Sequence, residues 1–345
     1  MNILFVGESH SGSRSPQRLR ALKALGYQVH LVSTTPDGHS YEQAPSFADR
    51  IAYRLRMPWD TAGVNTRLQA LDASSFDLAL FDNARTVRKS TLAALKAGNP
   101  ALRLVWFCED DMMNPRHRTR WVEGAIPLFD LWVTTKSFNA DPDEIPRLGV
   151  RRILFVNNSY DPELHRPVAV TPDEQRRFGA DVSFVGTFER PRADSLFALA
   201  RAGVPCRVWG NGWSTMVGLD PNLVVENRPV YGSDYVRVLS ASKVNLCFLR
   251  HFNRDRQTTR SVEIPAAGGF MLHEQSDEMK ALLRPDMEAD YFGTDAELVA
   301  KCRRWLADDR TRQAVARSSL VRVESLGLSH EKTLARIIDY AQACA

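Results

Sequence analysis

No apolar run in the chain approaches the roughly 20 residues needed to cross a bilayer, which argues against a transmembrane helix. There is no CxxC pair, and the five cysteines (Cys108, Cys206, Cys247, Cys302 and Cys344) are scattered and odd in number, so neither structural zinc nor a disulfide framework is expected. Three of them sit in apolar stretches, where reduced core cysteines are common. The opening Met1–Gly7 lacks the charged n-region and cleavage site of a signal peptide and reads as a strand, so the cytoplasm is the expected compartment. The pattern G-x-G-x-x-G is absent and no acidic residue ends the second strand near Val32, which argues against a dinucleotide-dependent oxidoreductase. An excess of one charge is lacking too: 45 basic against 41 acidic residues leave +4, too mild for a nucleic-acid-binding face. Internal repeats and low-complexity tracts are missing, which excludes solenoids.

At 345 residues the chain suits two domains, and its 44% apolar and 25% charged shares are ordinary for a soluble globular protein. The first half alternates short β runs with helix-length segments, the pattern of a parallel sheet covered by helices. Strands are expected at Ile3–Val6, Gln28–Val32, Leu78–Phe81, Leu102–Phe107, Leu131–Thr134 and Ile153–Val156. Ser15-Pro16 reads as the cap and first residue of a helix that stops near Gly26. Asp37 to Ala73 carries helical periodicity only in pieces. A second alternating series follows the proline-marked stretch Asp161–Pro172, with strands expected at Val182–Val185, Cys206–Trp209, Val244–Leu249 and Gly269–His273. From Asp295 the pattern is helical, interrupted near Gly327-Leu328-Ser329. The expected division is 1–160, 161–328 and a final helix, 329–345, returning to the first domain.

Several segments carry chemistry. Arg250, Arg254, Arg256 and Arg260 flank the expected helix start at Thr258 and Thr259, with Thr258 as N-cap. Backbone N–H groups and guanidinium groups together suit a pyrophosphate; a solvated basic loop is the plainer alternative. Glu263 follows in an otherwise apolar setting, where a carboxylate needs a partner; Arg260, three residues before it, is one choice. The glycine-led turn Gly186-Thr187 allows close approach of a phosphate, with Arg190 or Arg192 adding charge. Gly210 and Asn211, between Trp209 and Trp213, leave backbone groups open to a base edge that a tryptophan would stack on, unless both tryptophans are core. In the first half, the loop Gly7–Ser15 offers Glu8, His10 and Arg14 to an acceptor or leaving phosphate. Cys108-Glu109-Asp110-Asp111 ends a strongly apolar strand, and Asp110 or Asp111 is the candidate general base.

Four segments in order resemble the donor domain of GT-B glycosyltransferases of the group-1 type, closest to the spore-maturation-protein-like (CgeB-like) members. They are Asn157–Pro167, Val182–Thr187, Arg260–Phe270 and the helices from Ala296 to Leu328 followed by Ser329-His330, together about half the chain. The resemblance implies an α/β GT-B fold, two facing Rossmann-like domains with a C-terminal crossover helix. It implies that Glu263 accepts hydrogen bonds from the ribose of the donor nucleotide. Retaining members carry a further glutamate eight positions earlier; here that position is Asp255, which either meets the donor sugar or holds Arg254 and Arg256. The reading is a metal-independent glycosyltransferase using a nucleoside-diphosphate sugar, UDP- or GDP-linked, as substrate and no cofactor. Its acceptor is of unidentified kind (glycan, lipid-linked or small molecule), nucleic acid is excluded, and weak association with a membrane surface is admitted. The alternatives are a non-catalytic nucleotide-sugar-binding regulator and an epimerase on the same fold.

Overall fold

The computed structural model describes residues 1–10, 12–39 and 46–343. Ser11 of the first loop and Cys344 lie outside the described residues. The chain forms two compact units, Met1–Asn157 with His330–Ala345, and Asn158–Ser329.

Unit 1 is a parallel sheet of order β2-β1-β3-β4-β5-β6, formed by β1 (Asn2–Gly7), β2 (Gln28–Ser33), β3 (Leu78–Asp82), β4 (Arg103–Cys108), β5 (Leu131–Thr134) and β6 (Ile153–Phe155). These strands stand where the apolar runs put them, because a strand covered on both faces must be apolar throughout. Helices α1 (Ser15–Ala24), α2 (Phe47–Arg54), α3 (Val64–Gln69), α4 (Lys89–Gly98) and α5 (Arg120–Ala125) link them. Ser15 does not cap α1: Arg14 precedes the helix without a side-chain cap, and Ser15 Oγ instead donates to Asp82 Oδ2 at 2.6 Å. One face of the sheet is closed by Ile3, Phe5, Leu78 and Leu80 packed with Ala21 and Leu22 of α1 and with Leu334, Ile337, Ile338 and Ala341. Those last four lie on the closing helix of the chain, His330–Ala343, at helical spacing.

Unit 2 is a second parallel sheet of order β12-β11-β10-β7-β8-β9, from β7 (Ala180–Val185), β8 (Cys206–Trp209), β9 (Leu223–Val225), β10 (Ser242–Cys247), β11 (Met271–Glu274) and β12 (Asp290–Phe292). Its helices are α6 (Pro172–Phe178), α7 (Arg190–Arg201), α8 (Gly232–Ala241), α9 (Arg260–Ala266), α10 (Asp277–Leu282), α11 (Asp295–Ala307) and α12 (Asp309–Ser325); the closing helix of unit 1 is then α13 (His330–Ala343). The edge strands β9 and β12, three residues each, were not expected; they are too short to show an alternation. The strand expected at Val244–Leu249 ends at Cys247, two residues before Leu249, because the chain turns at Arg250 into the short 3-10 turn His251–Asn253. Because every strand pairing is parallel, the carboxyl ends of β7, β8, β10 and β11 lie along one edge, where open α/β sheets bind ligands.

Candidate active site

The edge of unit 2 is built from two turns tied together. Gly186 N–H donates to Trp209 O at 2.8 Å, Phe188 N–H to Asn211 O at 2.9 Å and Trp213 Nε1–H to Gly186 O at 2.8 Å. Gly210 has φ 151°, and a Cβ there would lie 2.0 Å from Gly186 O, so this crossing admits only glycine. Trp209 and Trp213 are fully buried, with Trp213 against Phe184 and Phe188, so neither is available to stack on a base; the core alternative holds.

Three arginines converge beside these turns. Arg192, on the first turn of α7, is 3% exposed. Its Nη1 and Nη2 donate to Thr187 O and Leu249 O, each at 3.3 Å, and its Nε–H, also buried, has no partner. Arg260, at the start of α9, shares with Arg192 the ring of Phe184, the two guanidinium carbons lying 5.7 and 5.6 Å from its centroid. Arg260 Nε is likewise buried without a partner, and the side chain has no ion pair among the described residues, Glu263 included. Glu189 Oε1 lies 3.3 Å from both Arg192 and Arg250, one carboxylate for two guanidinium groups. Burial first, then Arg260 and Arg250, pull the Arg192 guanidinium down to about 10. Positive charge is thus concentrated here, and two of the guanidinium groups, Arg192 and Arg260, each keep a buried Nε–H without an acceptor.

Two residues expected here are placed otherwise. Arg190 is exposed and pairs within its helix with Asp194 at 2.9 Å; the arginine that turns inward is Arg192. Thr258 is not an N-cap: α9 begins at Arg260, and Thr258 N–H itself donates to Ser261 Oγ at 2.9 Å. Thr258 and Thr259 are both buried in the turn leading into the helix, whereas Arg256 is exposed, with its carbonyl held by Ser276 Oγ. Asp255 accepts from Arg250 N–H at 3.3 Å and Asn253 Nδ2 at 2.7 Å, fixing the loop backbone.

Glu263 is 4% exposed, and Oε2 accepts a 2.9 Å hydrogen bond from Tyr235 Oη on α8. His165 stands on its other side, Nε2 3.9 Å from Oε1. Asp161 N–H donates to His165 Nδ1 at 3.1 Å, so the proton of a neutral ring sits on Nε2, toward Glu263. Beneath α9, Ser261 Oγ lies 2.8 Å from His273 Nε2 and 3.7 Å from Cys247 Sγ. Burial raises the Cys247 thiol, but His273 and then Arg260 outweigh it and bring it to about 7. His165, Tyr235, His273 and Cys247 were missed: single residues scattered over a hundred positions meet only through the strand order.

Unit 1 gathers a second polar group at the carboxyl ends of its strands. Buried Arg18 bonds Asp82 Oδ1 at 2.8 Å and also reaches Glu109, while its guanidinium lies 4.3 Å from the Phe107 ring centroid. Burial opposes the charge on Arg18, and Asp82 and Glu109 outweigh it. Arg14 lies 3.6 Å from Glu109, and His10 Nε2 3.3 Å from Glu8. Asp110 pairs with Arg85, with His117 Nδ1 at 3.9 Å. Asp111 is 2% exposed, and its Oδ1 accepts from Met113 N–H at 3.0 Å and Asn139 Nδ2 at 2.9 Å, a loop-holding arrangement.

Residues 192–339 match the family model described as glycosyl transferase-like. A search by sequence among curated proteins finds no match. Solved structures similar over essentially the whole chain include sucrose-phosphate synthase from Thermosynechococcus elongatus (TM-score 0.69, 12% identity, 100% of both chains). HepE of Anabaena in complex with UDP-glucose (TM-score 0.61, 13% identity) covers 99% of this chain and 100% of its own. Trehalose-6-phosphate synthase from Burkholderia multivorans (TM-score 0.63, 14% identity) covers 100% of both. The fold is therefore that of the GT-B structures, and residues 192–339 are similar to the glycosyl transferase-like family.

Proposed function

We propose that the chain transfers a sugar from a nucleoside-diphosphate donor to an acceptor hydroxyl, and that unit 2 holds the donor. The observation that carries this is the pair of neighbouring guanidinium groups, buried Arg192 and half-buried Arg260, each with a buried Nε–H that has no partner, beside the glycine turn at Gly186. A diphosphate supplies the acceptors and the negative charge this group lacks. The same guanidinium charge can stabilise a leaving diphosphate without a divalent cation, which favours a metal-independent reaction. Glu263 is assigned the ribose hydroxyls, with His165 and Tyr235 fixing its carboxylate. The sequence Arg260-Ser261-Val262-Glu263 supports placing the chain with the spore-maturation-protein-like members.

Activation of the acceptor is assigned to unit 1. Asp110 stays the candidate base, with Arg85 orienting its carboxylate, and Glu8, His10 and Arg14 lie on the same sheet edge. Because HepE is described in complex with UDP-glucose, uridine is the first nucleotide to try. The test is thermal shift with UDP, GDP, ADP, CMP and dTDP, then release of nucleoside diphosphate from the matching sugar nucleotide with chelator present. Stabilisation by one diphosphate and not by its nucleoside is expected; no shift with any of them sinks the proposal.

A further inference from the structure

Helix α2 of unit 1 presents a face that does not belong to a water-facing surface. Phe47 is 72% and Trp59 62% exposed, and Ile51, Tyr53 and Leu55 between them are exposed as well, whereas only Ala52 of the helix is buried. Single exposed apolar residues are ordinary; five large ones within thirteen positions are not. Phe47, Arg50, Ile51, Arg54 and Leu55 follow the spacing that places residues on one side of a helix, so the side turned outward is both apolar and basic.

The segment is nevertheless held in place. Ser46 and Asp49 form a reciprocal cap at its start. At its end Met57 N–H donates to Ala52 O at 2.8 Å, Arg56 pairs with Glu123 and Trp121 Nε1–H donates to Pro58 O at 3.1 Å. Arg120 N–H bonds Arg56 O at 2.8 Å, which sets a further exposed arginine beside the segment. Among the described residues, Arg50, Arg54 and Arg120 have no ion-pair partner, and Asp49 is engaged by the cap.

We infer that residues 46–59 dock unit 1 onto an anionic lipid surface. Apolar side chains would enter the boundary between headgroups and acyl chains, the arginines would reach lipid phosphates along their aliphatic stems, and Trp59 would sit at headgroup depth. A second copy of the chain is the poorer occupant, because a two-fold contact centred on this short face would bring Arg50 and Arg54 of one copy close to those of the other. The inference is independent of the donor site.

The experiment is vesicle flotation, comparing phosphatidylcholine alone with phosphatidylcholine containing about 30 mol % phosphatidylglycerol, a composition whose surface attracts basic residues. Binding is expected to the anionic vesicles, weakened by salt, with a blue shift of tryptophan fluorescence that Trp59→Phe removes. Arg50→Gln and Arg54→Gln should each lower partitioning about fivefold. Phe47→Ser with Ile51→Ser should lower it further, with the melting temperature as the control for folding. Absence of flotation, flotation that ignores these substitutions, or self-association abolished by them without vesicle binding would each overturn the inference.

Discussion

Replacing Arg192 by methionine separates a binding residue from a structural one, because the two roles give opposite signs. The guanidinium is nearly buried, and its pKa is depressed to about 10 by burial and by Arg260 and Arg250. A cation with a depressed pKa is less favourable folded than unfolded, and because Arg192 stays charged at neutral pH that cost is fully present there. A depression of this size corresponds to about 3 kcal/mol. Against it stand the bonds to Thr187 O and Leu249 O, worth about 1 kcal/mol each. Glu189 keeps Arg250, so it is not orphaned by the change. The variant without ligand is therefore expected to gain about 1 kcal/mol and to melt about 2–4 °C higher. In the same variant, diphosphate affinity should fall at least tenfold, the loss of one charge-assisted contact of about 1.5–3 kcal/mol. Differential scanning fluorimetry with and without pyrophosphate, followed by calorimetry with the preferred nucleoside diphosphate, reads both. A variant that melts several degrees lower and keeps its ligand shift would refute the reasoning and make Arg192 a structural clamp.

Arg260→Ala should weaken diphosphate binding far more than nucleoside binding, and exposed Arg256→Ala should change neither; equal losses in both variants, by calorimetry, would remove the distinction. For Glu263→Ala, nucleotide affinity is expected to drop roughly 10- to 100-fold in a folded protein, a charge-assisted bond's worth, and Tyr235→Phe to cost less; unchanged affinity rules out the ribose role. Asp110→Asn should abolish turnover while donor binding survives, whereas Asp111→Ala should lower stability by about 1–3 kcal/mol, since Met113 N–H and Asn139 Nδ2 lose their acceptor. Full turnover in the Asp110 variant sends the base to Glu8, His10 or Glu109. Ile337→Ala or Ile338→Ala on α13 should cost about 2–4 kcal/mol in urea unfolding, as cavity formation does in a core; a cost near zero would mean that α13 is dispensable to unit 1.

The strands were legible because parallel strands buried on both faces are apolar without a break, as Leu78–Asp82 and Arg103–Cys108 are over most of their length. Leu223–Val225 and Asp290–Phe292 escaped because three residues carry no period. Glu263 stood out in sequence as a carboxylate amid apolar neighbours, and its burial beside Tyr235 is the physical counterpart. Arg190 and Arg192 could not be told apart: they are two positions apart on one helix, on different sides of it, and the angle at which α7 meets the sheet decides which turns inward. Trp209 and Trp213 invited a stacking role because adjacent glycines suggest an open turn, but Gly210 serves the contact of one backbone with another at Gly186. Asp110 and Asp111 looked alike; neighbours distant in sequence, Arg85 and Asn139, set them apart.

Unit 2 is one uninterrupted stretch, Asn158–Ser329, while the core of unit 1 takes Leu334, Ile337, Ile338 and Ala341 from a helix that follows it. On the ribosome, the first sheet therefore emerges with one apolar face covered only in part, by α1, and waits while all of unit 2 is made. Val105 and Phe107 of β4 and the apolar side of α1, against which α13 packs, are left open in that interval, a surface that chaperones recognise and that nascent chains can aggregate through. Unit 2 can close its own sheet as soon as it leaves the exit tunnel. The order of synthesis and the order of completion are thus reversed: the unit begun first is the last to be sealed.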